Sequence, residues 1–225
     1  MILALVQTKG GTGKTTLSVC IAYSSQIRRK FNKIALVEFD PQGNLLDWYH
    51  DRESSDVYFS FIYADDPDII RKELGELERN FDMIILDVPG ESVGRFHTKF
   101  ACAVADIVLI PLRTSTYDEA AFFNNLLPII DQIQSSNVSN KFLVIPSFIH
   151  PVSNPLTAIN YLSEILPDNI SCLHAIFPVR SIFENFNRFG LTLNEFKQTL
   201  NNKISVKQAD KAIADIDRIV DALFP

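Results

Sequence analysis

Residues Lys9 to Thr16 read Lys-Gly-Gly-Thr-Gly-Lys-Thr-Thr, and these are the types and spacing that could do chemistry. Gly10, Gly11 and Gly13 let the backbone curl until its N–H groups converge on an anion, and a helix starting at the end of the loop adds positive dipole. Lys14 has the reach to meet the β- and γ-phosphates of a nucleotide, and Thr15 can place its hydroxyl on Mg²⁺. Thr12 and Thr16 complete the cradle. The generic phosphate loop begins with glycine where this chain has Thr8, and Lys9 is an additional lysine near the start.

Two carboxylates stand at the ends of apolar runs. Asp40 opens Asp40-Pro41-Gln42-Gly43-Asn44, and Asp87 closes Met83–Asp87 ahead of Val88-Pro89-Gly90. Mg²⁺ prefers oxygen ligands and keeps several waters. Asp87 therefore reads as a carboxylate that supports the metal, and Asp40 as one that holds it or orients an attacking water. A single Asp-Pro is more often a turn. Both carboxylates beside a phosphate loop point instead to phosphoryl transfer.

The elements that must position these groups are legible as an alternation. Apolar runs at Ile2–Gln7, Ile34–Phe39, Met83–Asp87, Ile107–Pro111, Phe142–Ser147 and Leu173–Phe177 are mostly continuous, which suits strands buried on both faces. Helical patterns lie at Thr15–Arg29, Pro67–Asn80, Tyr117–Gln134 and Pro155–Leu166, and a last helix opens on a Ser205/Gln208 capping box. In that last helix Lys207, Lys211 and Arg218 fall on a polar face with Asp210, Asp215, Asp217 and Asp221 around them. Strand alternating with helix predicts an α/β fold: a mostly parallel sheet with helices on both faces, in one domain over 1–225. Ligands of such sheets bind at the carboxyl ends of the strands, where all three motifs lie.

A net charge of −6 over 225 residues argues against a surface coated in basic groups, while leaving room for a local cluster. Cys20, Cys102 and Cys172 lack metal spacing and read as buried, reduced thiols, which fits a cytoplasmic protein. No apolar run reaches the length of a membrane span, and the N-terminus does not read as a signal peptide.

Taken together, Lys9–Thr16 resembles the deviant phosphate loop of the ParA/MinD superfamily, whose signature is the early lysine. Asp40–Asn44 and Met83–Gly90 resemble its second and third motifs, and Leu45-Leu46-Asp47-Trp48 and Thr114–Asp118 resemble its small partition ATPases. The resemblance implies a single P-loop domain, without a DNA-binding helix-turn-helix ahead of it, that binds ATP and Mg²⁺, hydrolyses ATP slowly and forms a sandwich homodimer. Lys9 would reach the partner's nucleotide, while Lys14 and Thr15 act within their own subunit and Asp40 times hydrolysis. It also implies a centromere-binding or adaptor partner protein and a cytoplasmic, nucleoid-associated location. Nonspecific DNA contact would fall to Arg180, Arg188, Lys203, Lys207 and Lys211, and contact with the base to Pro178. Two departures stand out: Glu38 where an aspartate is frequent, with no loss of chemistry expected, and Ser147 where relatives often carry a base-reading asparagine.

Three rivals are weighed against this reading. Gly90-Glu91-Ser92-Val93-Gly94 matches the nucleophile elbow of serine hydrolases, but Asp87 and Pro89 occupy the place where the serine should leave the strand. A MinD-like membrane positioner needs a basic amphipathic tail. An iron–sulfur reductase needs paired cysteines, and Cys102 has no second one beside it.

Overall fold

The computed structural model describes residues 1–53, 55–90, 95–136, 139–186 and 190–225. In chain order the elements are β1 (Ile2–Leu5), α1 (Lys14–Ala22), α2 (Ser25–Lys30), β2 (Ile34–Glu38), α3 (Asn44–His50), β3 (Tyr58–Phe61), α4 (Pro67–Asn80), β4 (Met83–Asp87), α5 (Arg95–Val104), β5 (Ile107–Leu112), α6 (Thr116–Ala121), α7 (Leu127–Gln134), β6 (Lys141–Ile149), α8 (Pro155–Ile165), β7 (Ser171–Cys172), β8 (Phe177–Pro178), α9 (Leu193–Thr199) and α10 (Lys203–Leu223). The strands form one parallel sheet in the order β3-β2-β4-β1-β5-β6-β7, with β8 paired to β6.

Alternate residues of each central strand feed opposite faces, as the pleat requires. Leu3, Leu5, Leu36 and Ile85 enter a core with α1 and α10, whereas Ile2, Ala4, Val37 and Leu86 enter a second core with α4, α5 and α7. Burial on both faces is why these strands are continuous apolar runs in the sequence.

Several boundaries differ from the sequence expectation. The first helix divides, because the Ser24 hydroxyl accepts the Ile27 N–H and starts α2 afresh. The run Leu173–Phe177 forms no single strand: the short β7 ends just before it at Cys172, and only Phe177 belongs to a strand, the short β8. The helical pattern Tyr117–Gln134 is realised with a π-helical segment, Phe122–Leu126, between α6 and α7. The last helix starts at Lys203 with Asn202 as its cap, so Ser205 lies inside it and not at its end. Asp215 sits on its buried side, and not on a solvated face, because two arginines neutralise it there.

Candidate nucleotide site

The phosphate loop leaves β1 and is braced from behind. Buried Gln7 donates through Nε2 to the Pro111 carbonyl at 3.2 Å, and its Oε1 accepts the Thr8 N–H at 2.9 Å. That ties the loop's entrance to the end of β5. Gly13 carries φ +88 as it opens α1, and a Cβ there would meet the Phe177 ring at 2.8 Å. Only glycine fits both conditions. At Gly10 and Gly11 a Cβ would meet nothing within 4 Å, so the loop faces open space on its ligand side.

Lys14 is buried and its ammonium lies 3.5 Å from the Lys9 carbonyl. Gly90, after β4, leaves room for it: a Cβ there would stand 3.1 Å from Lys14 Nζ and 3.2 Å from the Lys9 oxygen. Thr15 Oγ1 donates to Asp87 Oδ2 at 2.6 Å, and Ser18 Oγ donates to Asp87 Oδ1 at 3.1 Å. Asp87 is 1% exposed. Burial pushes its pKa up to about 6, against the opposing pull of Thr15, Lys14 and Ser18. A hydroxyl held by an anchored carboxylate keeps oxygen lone pairs for a hard cation. The residues therefore fit a Mg-nucleotide: N–H groups and a lysine for phosphates, oxygen donors for the metal.

Asp40 stands two residues beyond β2 and accepts the Gln42 N–H at 2.9 Å, in an Asx turn. The Phe39 N–H donates to the Asp87 carbonyl at 2.9 Å, which keeps this segment beside β4. Glu38 is the residue whose part sequence reasoning missed. Its carboxylate is fully buried and accepts the N–H groups of Leu45 and Leu46 at 2.9 and 2.8 Å, anchoring the start of α3. Burial raises its pKa to about 7, with Leu45 and Leu46 opposing and the charges of Asp87 and Asp40 adding to the rise. A glutamate two residues before Asp40 and six before a helix is the available signal.

On the other side of the loop, Lys9 Nζ lies 2.9 Å from Asp118 Oδ1. Burial works against ionising Asp118, but hydrogen bonds from Ser115 and Lys9 outweigh it and hold the carboxyl below its usual range. Arg113 donates to the Gly11 carbonyl and covers the Phe148 ring at 3.6 Å. Phe148 holds φ +57, a left-handed backbone that costs a bulky residue about 1–3 kcal/mol and persists only where its surroundings impose it.

Pro178 comes to the loop as well. With Gly13, Thr16, Phe148, Phe177 and Phe183 it lines a cavity of about 190 Å³. The residues proposed for DNA are spread. Lys203, Lys207 and Lys211 lie along one exposed stripe of α10, four residues apart. Arg180 is instead ion-paired with buried Asp215, which Arg218 also meets. That ion pair offsets its charge, unlike the three exposed lysines. Arg188 and the alternative nucleophile Ser92 lie outside the described residues. Cys102 is fully buried, and burial raises its thiol to about 12. Among the described residues, no helix is long and apolar enough to cross a membrane.

The sequence profile of the CobQ/CobB/MinD/ParA nucleotide binding domain matches residues 3–220. The chain belongs to this family. The chain is 30% identical over 142 residues, 63% of its length, to the maintenance of carboxysome distribution protein A of Halothiobacillus neapolitanus, and the match spans 62% of that protein. It is 19% identical over 213 residues to Protein ParA of Rhizobium radiobacter, covering 95% of this chain and 94% of that one. The apo McdA of Cyanothece superposes with a TM-score of 0.70 at 18% identity, over 99% of this chain and 98% of that one. A match this long places the phosphate loop and both strand-end carboxylates inside the CobQ/CobB/MinD/ParA domain, so nucleotide binding belongs to the chain as a family member.

Proposed function

We propose that this protein is a ParA-type ATPase that binds Mg-ATP, dimerises on it and positions plasmid, chromosome or another cargo together with a partner protein. One observation carries the reading: a buried lysine, a threonine hydroxyl and a buried carboxylate converge behind an open glycine loop, with a second lysine at the loop's other flank. When bound, ATP supplies the phosphoanhydride and Mg²⁺ neutralises phosphate charge. Lys14 holds the phosphates and stabilises charge that develops on them. Thr15 ligates the metal, and Asp87 orients Thr15 while supporting the metal's water shell. Asp40 orients the attacking water or shares the metal. Lys9 leaves Asp118 to reach the partner's nucleotide, so dimerisation follows the ligand.

The protein acts as one unit over 1–225 in this reading. A centromere-binding or adaptor protein stimulates turnover, and Lys203, Lys207 and Lys211 supply a nonspecific DNA footprint. Relatives that position carboxysomes and relatives named ParA both support a cargo role. The test is analytical sedimentation with ATP, ADP and DNA in one series. ATP should double the mass, ADP should not, and DNA should co-sediment only with the ATP form. Lys14→Ala should abolish the shift. A mass independent of nucleotide would overturn the switch.

A further inference from the structure

How the base is recognised is left open by the motifs, because Ser147 stands where an edge-reading side chain is expected. Ser147 is 1% exposed, and its hydroxyl has no hydrogen-bond partner among the described residues. Its neighbour Phe148 has the opposite character. The residue is 37% exposed and lines the cavity beside the phosphate loop with Gly13, Thr16, Phe177 and Pro178. It meets Phe177 edge-on, with centroids 6.4 Å apart. Its Cε2 stands 3.4 Å from where a Gly13 Cβ would lie.

We infer that Phe148 is a base-binding residue of this site: its ring forms the stacking wall for the nucleotide's base, and Arg113 clamps it there. The inference rests on the nucleotide reading above. Three observations carry it. Phe148 is the one non-glycine residue with positive φ among those described, so its ring is aimed by strain and not by preference. The Arg113 guanidinium lies 3.6 Å from the ring centroid and also donates to Gly11, so a single side chain couples ring and loop. A cation over an aromatic face holds that ring in place and polarises it. The cavity, of about 190 Å³, suits a single ring system and not a drug-sized ligand, and it opens directly off Gly13 and Thr16 at the start of α1. Aromatic walls accept any base by its π-face, so stacking supplies affinity that the serine cannot supply through the base's edge.

Calorimetric titration with Mg-ATP and with Mg-tripolyphosphate, which lacks the base, separates stacking from loop bracing. Phe148→Gly keeps the left-handed backbone without strain and removes the ring. It should weaken Mg-ATP by roughly 5- to 100-fold and leave Mg-tripolyphosphate within about twofold. Phe148→Leu, which keeps an apolar wall, should move ATP in the same direction by less. Arg113→Ala should weaken both ligands, because it also releases Gly11. Unchanged ATP affinity in both Phe148 variants, or an equal loss for both ligands, overturns the inference. Failure of the wild-type protein to bind Mg-ATP would instead sink the nucleotide reading beneath it.

Discussion

The Lys9 ammonium is held 2.9 Å from the Asp118 carboxylate of its own chain. The cation that the dimer reading sends to a partner's nucleotide is thus engaged at home, by a carboxylate only 5% exposed. Freeing Lys9 takes an ion pair apart, and that cost opposes dimerisation until nucleotide is present. Lys9 is about one-third exposed, so the pair is screened and contributes on the order of 1 kcal/mol. Each dimer breaks two such pairs, one per protomer, so Asp118→Asn should tighten the ATP-dependent dimer roughly 30-fold, measured by sedimentation equilibrium across a concentration series. Weaker or unaltered dimerisation would dismiss the restraint.

Asp87 orients the Thr15 hydroxyl from a buried position. Asp87→Asn keeps the volume but turns one acceptor into a donor facing Thr15 or Ser18. The Mg²⁺ concentration needed for half-maximal ATP binding should rise roughly 10- to 100-fold. A Mg²⁺ titration monitored by nucleotide binding decides it; an unchanged midpoint would remove Asp87 from the metal's support.

Asp40 is half-buried and, among the described residues, its carboxylate accepts only the Gln42 N–H of its own turn, so its side chain is available to a water or metal. Asp40→Ala should bind ATP within about threefold of wild type while turnover falls roughly 100-fold or more. The dimer should then persist on ATP. Single-turnover phosphate release checks this, and wild-type release from the variant would withdraw the role.

Stability in the absence of nucleotide should depend on pH through Glu38 and Asp87. Burial raises Glu38 from 4.5 to about 7 and Asp87 from 3.8 to about 6. Between the ordinary and raised values the folded protein binds more protons than the unfolded chain, so these two groups make stability fall as pH rises. The slope is at most about 1.4 kcal/mol per pH unit for each group, and it ends above about pH 7. Urea unfolding from pH 5 to 8 without Mg²⁺ measures it. Glu38→Gln should flatten the fall between pH 6 and 7; a variant that tracks wild type there would exclude Glu38 as its source.

Much of the site is written locally. The phosphate loop, Asp40 and Asp87 were legible because each follows a continuous apolar run, and β4 and α4 coincide with their sequence patterns. Weaker patterns failed where tertiary contacts overrode them. Tyr58–Phe61 is only partly buried at the sheet edge and was not visible as a strand. The start of α3 depends on Glu38, six residues upstream of Asn44, and not on a capping side chain of its own.

That a glycine loop and two carboxylates gather at the carboxyl ends of parallel strands follows from the order of residues alone. Spacing along the chain and the two-faced burial of strands are enough for that. The partners are set by the folded chain: Lys9 with Asp118, Glu38 with the head of α3, Arg113 with Gly11 and Phe148, and Arg180 with Asp215. Most of these pairs join residues far apart in sequence, where no periodicity links them. Which cation a buried carboxylate meets is settled when the sheet and its helices close around it, since a buried charge must find its counter-charge there.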